Sequence, residues 1–238
     1  MKLRMSKKVS IMVRAFVFFA FVTSFSFTEA QENVGLTLFN GKDLSGWIVE
    51  GPDEFEKDGK KETIWVAKDG MISCMVNNRK SFGFLRYEKK EFTDFVFSLE
   101  YRLGEKEFPK QKIPNSGIGI RTVAFDPKDS TATRPSFACY EIQLLDDVNA
   151  KPDTHSTGSL YRYVAPKLNA IKPSPEWNQM QIECKGPLIK IHLNGQLIID
   201  VDQTTVPEIS KKPLKGYVCL QNHGSRVDFR NLKVRELK

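Results

Sequence analysis

Beyond its first thirty residues the chain alternates apolar and polar positions in short runs and almost nowhere repeats with helical period. The runs fall at 63–66, 71–75, 92–103, 117–123, 137–145, 179–185, 188–193, 196–201, 217–222 and 227–237. Turn residues bound them, as expected of strands. Asn194-Gly195 reads as a tight hairpin turn, and Lys68-Asp69-Gly70 as another. Many short strands without helices predict an all-β fold, a sandwich, jelly roll or barrel of antiparallel sheets. Two segments lack strand pattern: 104–115, and the long proline-containing stretch 146–177. Loops of that length usually serve a site.

Three strands carry candidate chemistry. In Tyr140–Asp147, Ile142 and Leu144 form an apolar face and Glu141 and Gln143 the opposite one. Leu145 then falls in the polar register. A β-bulge there would return Asp146 to the side of Glu141 and make a Glu-x-Gln-x-x-Asp ladder, able to bind a sugar or move a proton. In Asn115–Arg121, Ile118 and Ile120 face one way, and Gly117, Gly119 and Arg121 the other. Glycines inside a strand mark a close approach, and Arg121 on that bare face could clamp an oxyanion or pair with Glu141. In Tyr217–Gly224, Val218 and Leu220 take the core side, while Gln221 and His223 share the other. His223 at the strand end suits a base, an acid or a metal ligand. The stretch 146–177 follows the Glu141 strand directly, so His155, Tyr161 and Trp177 are candidates to wall its open face. His192 is expected to point to solvent.

Composition narrows the picture. Lys2, Arg4, Lys7, Lys8 and Arg14 precede an apolar run from Ala15 to Phe27, and Thr28-Glu29-Ala30 resembles a cleavage site. Residues 1–30 therefore read as a secretory signal peptide, leaving a single exported domain over 31–238 with no stable membrane insertion. The segment holds five basic residues and one acidic residue, so its removal lowers the net charge from +7 to +3. That excess gives no argument for nucleic acid. Cys74, Cys139, Cys184 and Cys219 each sit in or beside an apolar strand and read as buried thiols rather than disulfides. No Gly-x-Ser-x-Gly, phosphate loop or dinucleotide glycine pattern occurs. Three histidines are too few for a His-rich zinc centre, but a mixed oxygen and His site could hold a divalent metal.

Taken in order, eight short motifs resemble the domain family once labelled as of unknown function and now called 3-keto-disaccharide hydrolase. They are Leu38–Trp47, Asn115–Gly117, Tyr140–Gln143, Thr157–Tyr161, Glu176–Asn178, Leu193–Gly195, Leu220–Gly224 and Val227–Asn231. The resemblance implies a concanavalin-A-like lectin/glucanase jelly roll acting on glycosides oxidised at C3. The C3 ketone acidifies the C2 proton, so a base can remove it and the enolate can expel the C1 aglycone. The corresponding expectations are Glu141 as base or metal anchor, Arg121 as enolate stabiliser and His223 as base or leaving-group acid. Gln143, Gln221 and Asn115 would orient hydroxyls. The ladder is also similar to the Glu-x-Asp-x-x-Glu of laminarinase-type β-glucanases. It departs at two of the three carboxylates, where Gln143 and Asp146 stand. Two alternatives remain at this stage: a non-catalytic carbohydrate-binding module, and a conventional β-glycoside hydrolase using Glu141 and Asp146.

Overall fold

The computed structural model describes residues 35–76, 81–104 and 113–238. The expected signal peptide lies outside them. Two antiparallel sheets dominate. The smaller runs β10 (Tyr140–Leu145), β9 (Asn115–Thr122), β14 (Tyr217–Asn222), β7 (Gly83–Tyr87), β2 (Trp47–Glu50). The larger runs β13 (Gln196–Asp202), β12 (Leu188–Leu193), β11 (Asn178–Lys185), β8 (Phe95–Leu103), β15 (Val227–Glu236), β6 (Met71–Cys74), β5 (Trp65–Lys68), with β1 (Leu36–Thr37) also on β15. A separate hairpin joins β3 (Glu54–Lys57) and β4 (Lys60–Thr63).

Alternation builds the interior. Phe95, Phe97, Leu99 and Tyr101 of β8 share one buried cluster with Ile118 and Ile120 of β9, Ile142 and Leu144 of β10, and Val218 and Leu220 of β14. Side chains from the inner faces of both sheets thus fill one sandwich core. All four cysteines are free and buried. Asn194 (φ 51°) and Gly195 (φ 80°) turn the β12–β13 hairpin in the left-handed region, as the dipeptide requires.

Three features depart from expectation. β7 escaped the pattern reading because all five of its residues are buried, so it shows no alternation. Two single-turn helices, α1 (Ser130–Thr133) and α2 (Pro135–Ala138), sit before β10, where an extended run from residue 137 was expected. Four residues cannot display a 3.6-residue period. The third departure concerns a β-bulge. The β10–β9 register runs unbroken from Tyr140↔Ile120 to Leu145↔Asn115. The irregularity lies instead between β9 and β14, where three steps from Gly119 to Thr122 oppose two from Cys219 to Tyr217. Arg121 occupies it with a left-handed φ of 51°.

Candidate active site on the smaller sheet

Cross-strand pairing assembles the outer face of the smaller sheet. Glu141 lies opposite Gly119 and Gln143 opposite Gly117. Cys219 of β14 lies opposite Gly119 on its other side, and Gln221 opposite Phe84 of β7. On the free edge of β10, Tyr161 N–H donates to the Glu141 carbonyl (2.8 Å), and Gln143 N–H to the Ser159 carbonyl (3.2 Å). The loop after β10 therefore runs back along it and brings Ser159 and Tyr161 onto the Glu141 face. His155 meets the Tyr161 ring edge-on at 5.1 Å and stands at the exposed rim.

The two glycines have different tasks. A Cβ on Gly119 would lie 2.4 Å from Cys219 Sγ and 3.3 Å from Pro135 Cγ, so this glycine seats α2 on the sheet. A Cβ on Gly117 would lie 3.2 Å from Glu141 Oε1 and 3.3 Å from Gln221 Oε1, so this one keeps the space between those side chains open.

Glu141 is 3 % exposed. Burial raises its carboxyl above the ordinary range, and the Gln221 amide, Arg134 guanidinium and Ser136 hydroxyl partly offset that. None of these closes the network. Glu141 Oε2, Gln143 Oε1, both amide atoms of Gln221, Ser136 Oγ, Ser159 Oγ, Arg134 Nε and Asn115 Oδ1 are buried without a hydrogen-bond partner. Each buried unsatisfied group costs about 1–3 kcal/mol. Eight such atoms left dry would approach the whole stability of a domain, so this patch is built for water or a hydroxyl-rich ligand.

Aromatic rings and cations border it. Arg134 stacks over Phe82 at 4.3 Å, and Phe82 meets the His223 ring edge-on at 5.5 Å. Phe125 closes on Phe82 and Phe84 at 5.9 and 5.0 Å. On the other side Arg134 faces Phe137 at 5.7 Å, and Arg162 covers that ring at 4.6 Å. Arg134 was missed by sequence reading. Its one local signal is the Pro135 that follows, which holds Arg134 extended (φ −67°, ψ 129°) between two helical turns.

The structure gathers Glu141, Gln143, Gln221 and Asn115, with His223, Tyr161 and His155 around them. It separates three expected members. Arg121 turns away at the β9 bulge, is fully buried, and gives its guanidinium to the Thr93 carbonyl (2.7 and 3.3 Å) and Asp94 (3.6 Å). Asp146 leaves the sheet after Leu145 and accepts from Ser174 N–H at 3.2 Å, so the three-residue ladder does not form. Trp177 lies on the outer face of the larger sheet, between Arg102 (4.8 Å) and Arg230 (3.9 Å). Among the described residues no three His, Cys, Asp or Glu side chains gather to hold a metal ion. The groups around Glu141 are amides, hydroxyls and the Arg134 guanidinium, whose positive charge opposes a divalent cation, so they do not fit the metal for which the sequence left room.

The 3-keto-alpha-glucoside-1,2-lyase-like domain model matches residues 36–235, and the chain belongs to that family. A 3-keto-disaccharide hydrolase of Bacteroides thetaiotaomicron is 25 % identical over an alignment of 237 positions that covers 85 % of this chain and 78 % of that protein. The crystal structure of a protein from Parabacteroides distasonis described as a "putative glycosyl hydrolase" shares the fold, with a TM-score of 0.65 at 24 % identity, covering 86 % of this chain and 94 % of the other. The exoplasmic/lumenal domain of VIP36 in its Ca2+/Man3GlcNAc-bound form shares the fold alone, with a TM-score of 0.55, 10 % identity and coverage of 87 % and 90 %.

Proposed function

We propose that this protein cleaves 3-keto-glycosides by β-elimination at the Glu141 patch. A carbohydrate-active role follows from family and relative together; the keto substrate and the chemistry are our reading. The observation that carries it is the buried, raised-pKa carboxyl of Glu141 among unpartnered amide and hydroxyl groups. Those groups match sugar hydroxyls. The other buried carboxylate of this face, Glu50, is taken by Arg86 at 2.5 Å and by the Phe125 N–H at 3.0 Å, so Glu141 lacks the free second carboxylate of a retaining or inverting pair among the described residues, which favours proton abstraction over ordinary glycoside hydrolysis.

In this reading the Glu141 carboxylate takes the C2 proton. The C2–H electron pair moves toward C3 and places negative charge on the carbonyl oxygen. When that charge returns, the C3 carbonyl re-forms, the C1–oxygen bond breaks, and His223 gives a proton to the departing oxygen. The products are a C1–C2 unsaturated 3-keto sugar and the free aglycone, and water added across the double bond would complete a hydrolysis. Gln143, Gln221 and Asn115 hold hydroxyls, and Tyr161 with His155 borders the sugar.

Glu141→Gln tests the assignment. It keeps size and burial but removes the base, so turnover of a 3-keto-disaccharide should fall at least 10²-fold with the circular dichroism of the fold unchanged. Full activity in that variant would sink the mechanism. Saturable binding of the keto sugar by the unaltered protein without any turnover would make it a binding module instead.

A further inference from the structure

With Arg121 turned away, the enolate lacks the partner the sequence suggested. We propose that Arg134 is that partner: its guanidinium receives the C3 oxygen of the 3-keto sugar and stabilises the enolate as the C2 proton leaves. The proposal rests on the elimination reading above.

Four observations place it there. Pro135, the residue after Arg134, reaches over Gly119, which pairs with Glu141 between β9 and β10, and the positive charge of Arg134 favours the ionised carboxyl. Its Nε is buried and donates to nothing. Two other arginines of this sheet are taken by carboxylates, Arg86 by Glu50 at 2.5 Å and Arg121 by Asp94 at 3.6 Å. Arg134 has no ion-pair partner among the described residues. Finally, the side chain is held before any ligand arrives. Pro135 packs toward Gly119, the Arg134 N–H donates to the Ser130 carbonyl (3.0 Å), and the guanidinium plane lies over Phe82. A guanidinium fixed by stacking and left with a free donor needs little reorganisation as charge develops.

Phe82 carries the Arg134 guanidinium over its face at 4.3 Å and meets the His223 ring edge-on at 5.5 Å, so guanidinium and imidazole border the same ring.

Exchange of the C2 hydrogen separates the steps. A 3-keto-glucoside deuterated at C2 is incubated with the protein in ordinary water, and both loss of deuterium and release of aglycone are followed by NMR. The unaltered protein should show both. Arg134→Gln should lose about 10²–10³-fold in each, as expected for removal of one oxyanion donor. Arg134→Lys should lose less, because it keeps the charge without the planar fork. Added guanidinium ion should partly restore Arg134→Ala. Deuterium loss within threefold of the unaltered rate in a folded Arg134→Gln would overturn the assignment, and so would the absence of rescue together with a fully active Arg134→Lys. If the unaltered protein shows neither exchange nor cleavage, the elimination reading falls and takes this assignment with it.

Discussion

Glu141 is held at the expense of stability. Its folded carboxyl titrates above the unfolded value, so the folded state binds more protons, and stability falls as pH rises through the ordinary carboxylate range and the raised value. Glu141→Gln should therefore raise the melting temperature at neutral pH by about 2–4 °C, the shift that about 1 kcal/mol gives a domain of this size, while abolishing turnover. Calorimetry at pH 7 checks it; an unchanged or lower melting temperature would contradict the burial argument. As a base Glu141 must be ionised, so activity should appear only as pH climbs above the ordinary carboxylate range. The charged group facing it is Arg134, whose replacement by Gln should move that acid limb to higher pH. Cys219, opposite Gly119, stays a neutral thiol because burial pushes its pKa far up. Gly117→Ala is a steric probe of the same space. The added methyl would sit 3.2 Å from Glu141 Cγ, so KM for the sugar should rise with the fold retained. An unchanged KM would place the ligand elsewhere.

At the scale of elements, β10 and β9 form the platform and the segment 130–138 forms its cover. Asp146 belongs to the loop anchor rather than the chemistry, holding Ser174 N–H. Asp146→Asn should change kcat/KM by less than tenfold, or under about 1.4 kcal/mol of barrier; a loss of 10³-fold would restore the glucanase-like ladder. The strands that bear Glu141, Gln143 and Gln221 were legible because one face is core and period two then assigns the other face. The structure departs from the expected places of Arg121 and Asp146 for one shared reason. A β-bulge shifts alternation by one residue, and its position depends on cross-strand pairing that a single strand does not display. It lies in β9 at Arg121, not after β10 at Leu145. Arg134 was illegible because its place is set by packing over a distant glycine. Trp177 was misplaced because the far end of the long loop returns to the opposite sheet.

For the whole molecule, the fold was the most legible level, since ten alternating runs leave few architectures open. The sandwich supplies a rigid frame: Ile142 and Leu220 lie fully buried behind the site strands. Ile142→Ala should cost about 2–5 kcal/mol, read by denaturant melting. No helix of the described residues is long and apolar enough to cross a membrane. We read the protein as exported, and intact mass of the secreted form should show a chain beginning at Gln31. The central claim, that a C3 ketone is what lets this face break a glycosidic bond, is tested most directly by NMR of the protein with a 3-keto-disaccharide and, separately, its unoxidised parent. The account predicts release of the aglycone sugar from the keto compound and no change in the parent. Cleavage of the parent at a comparable rate would contradict it.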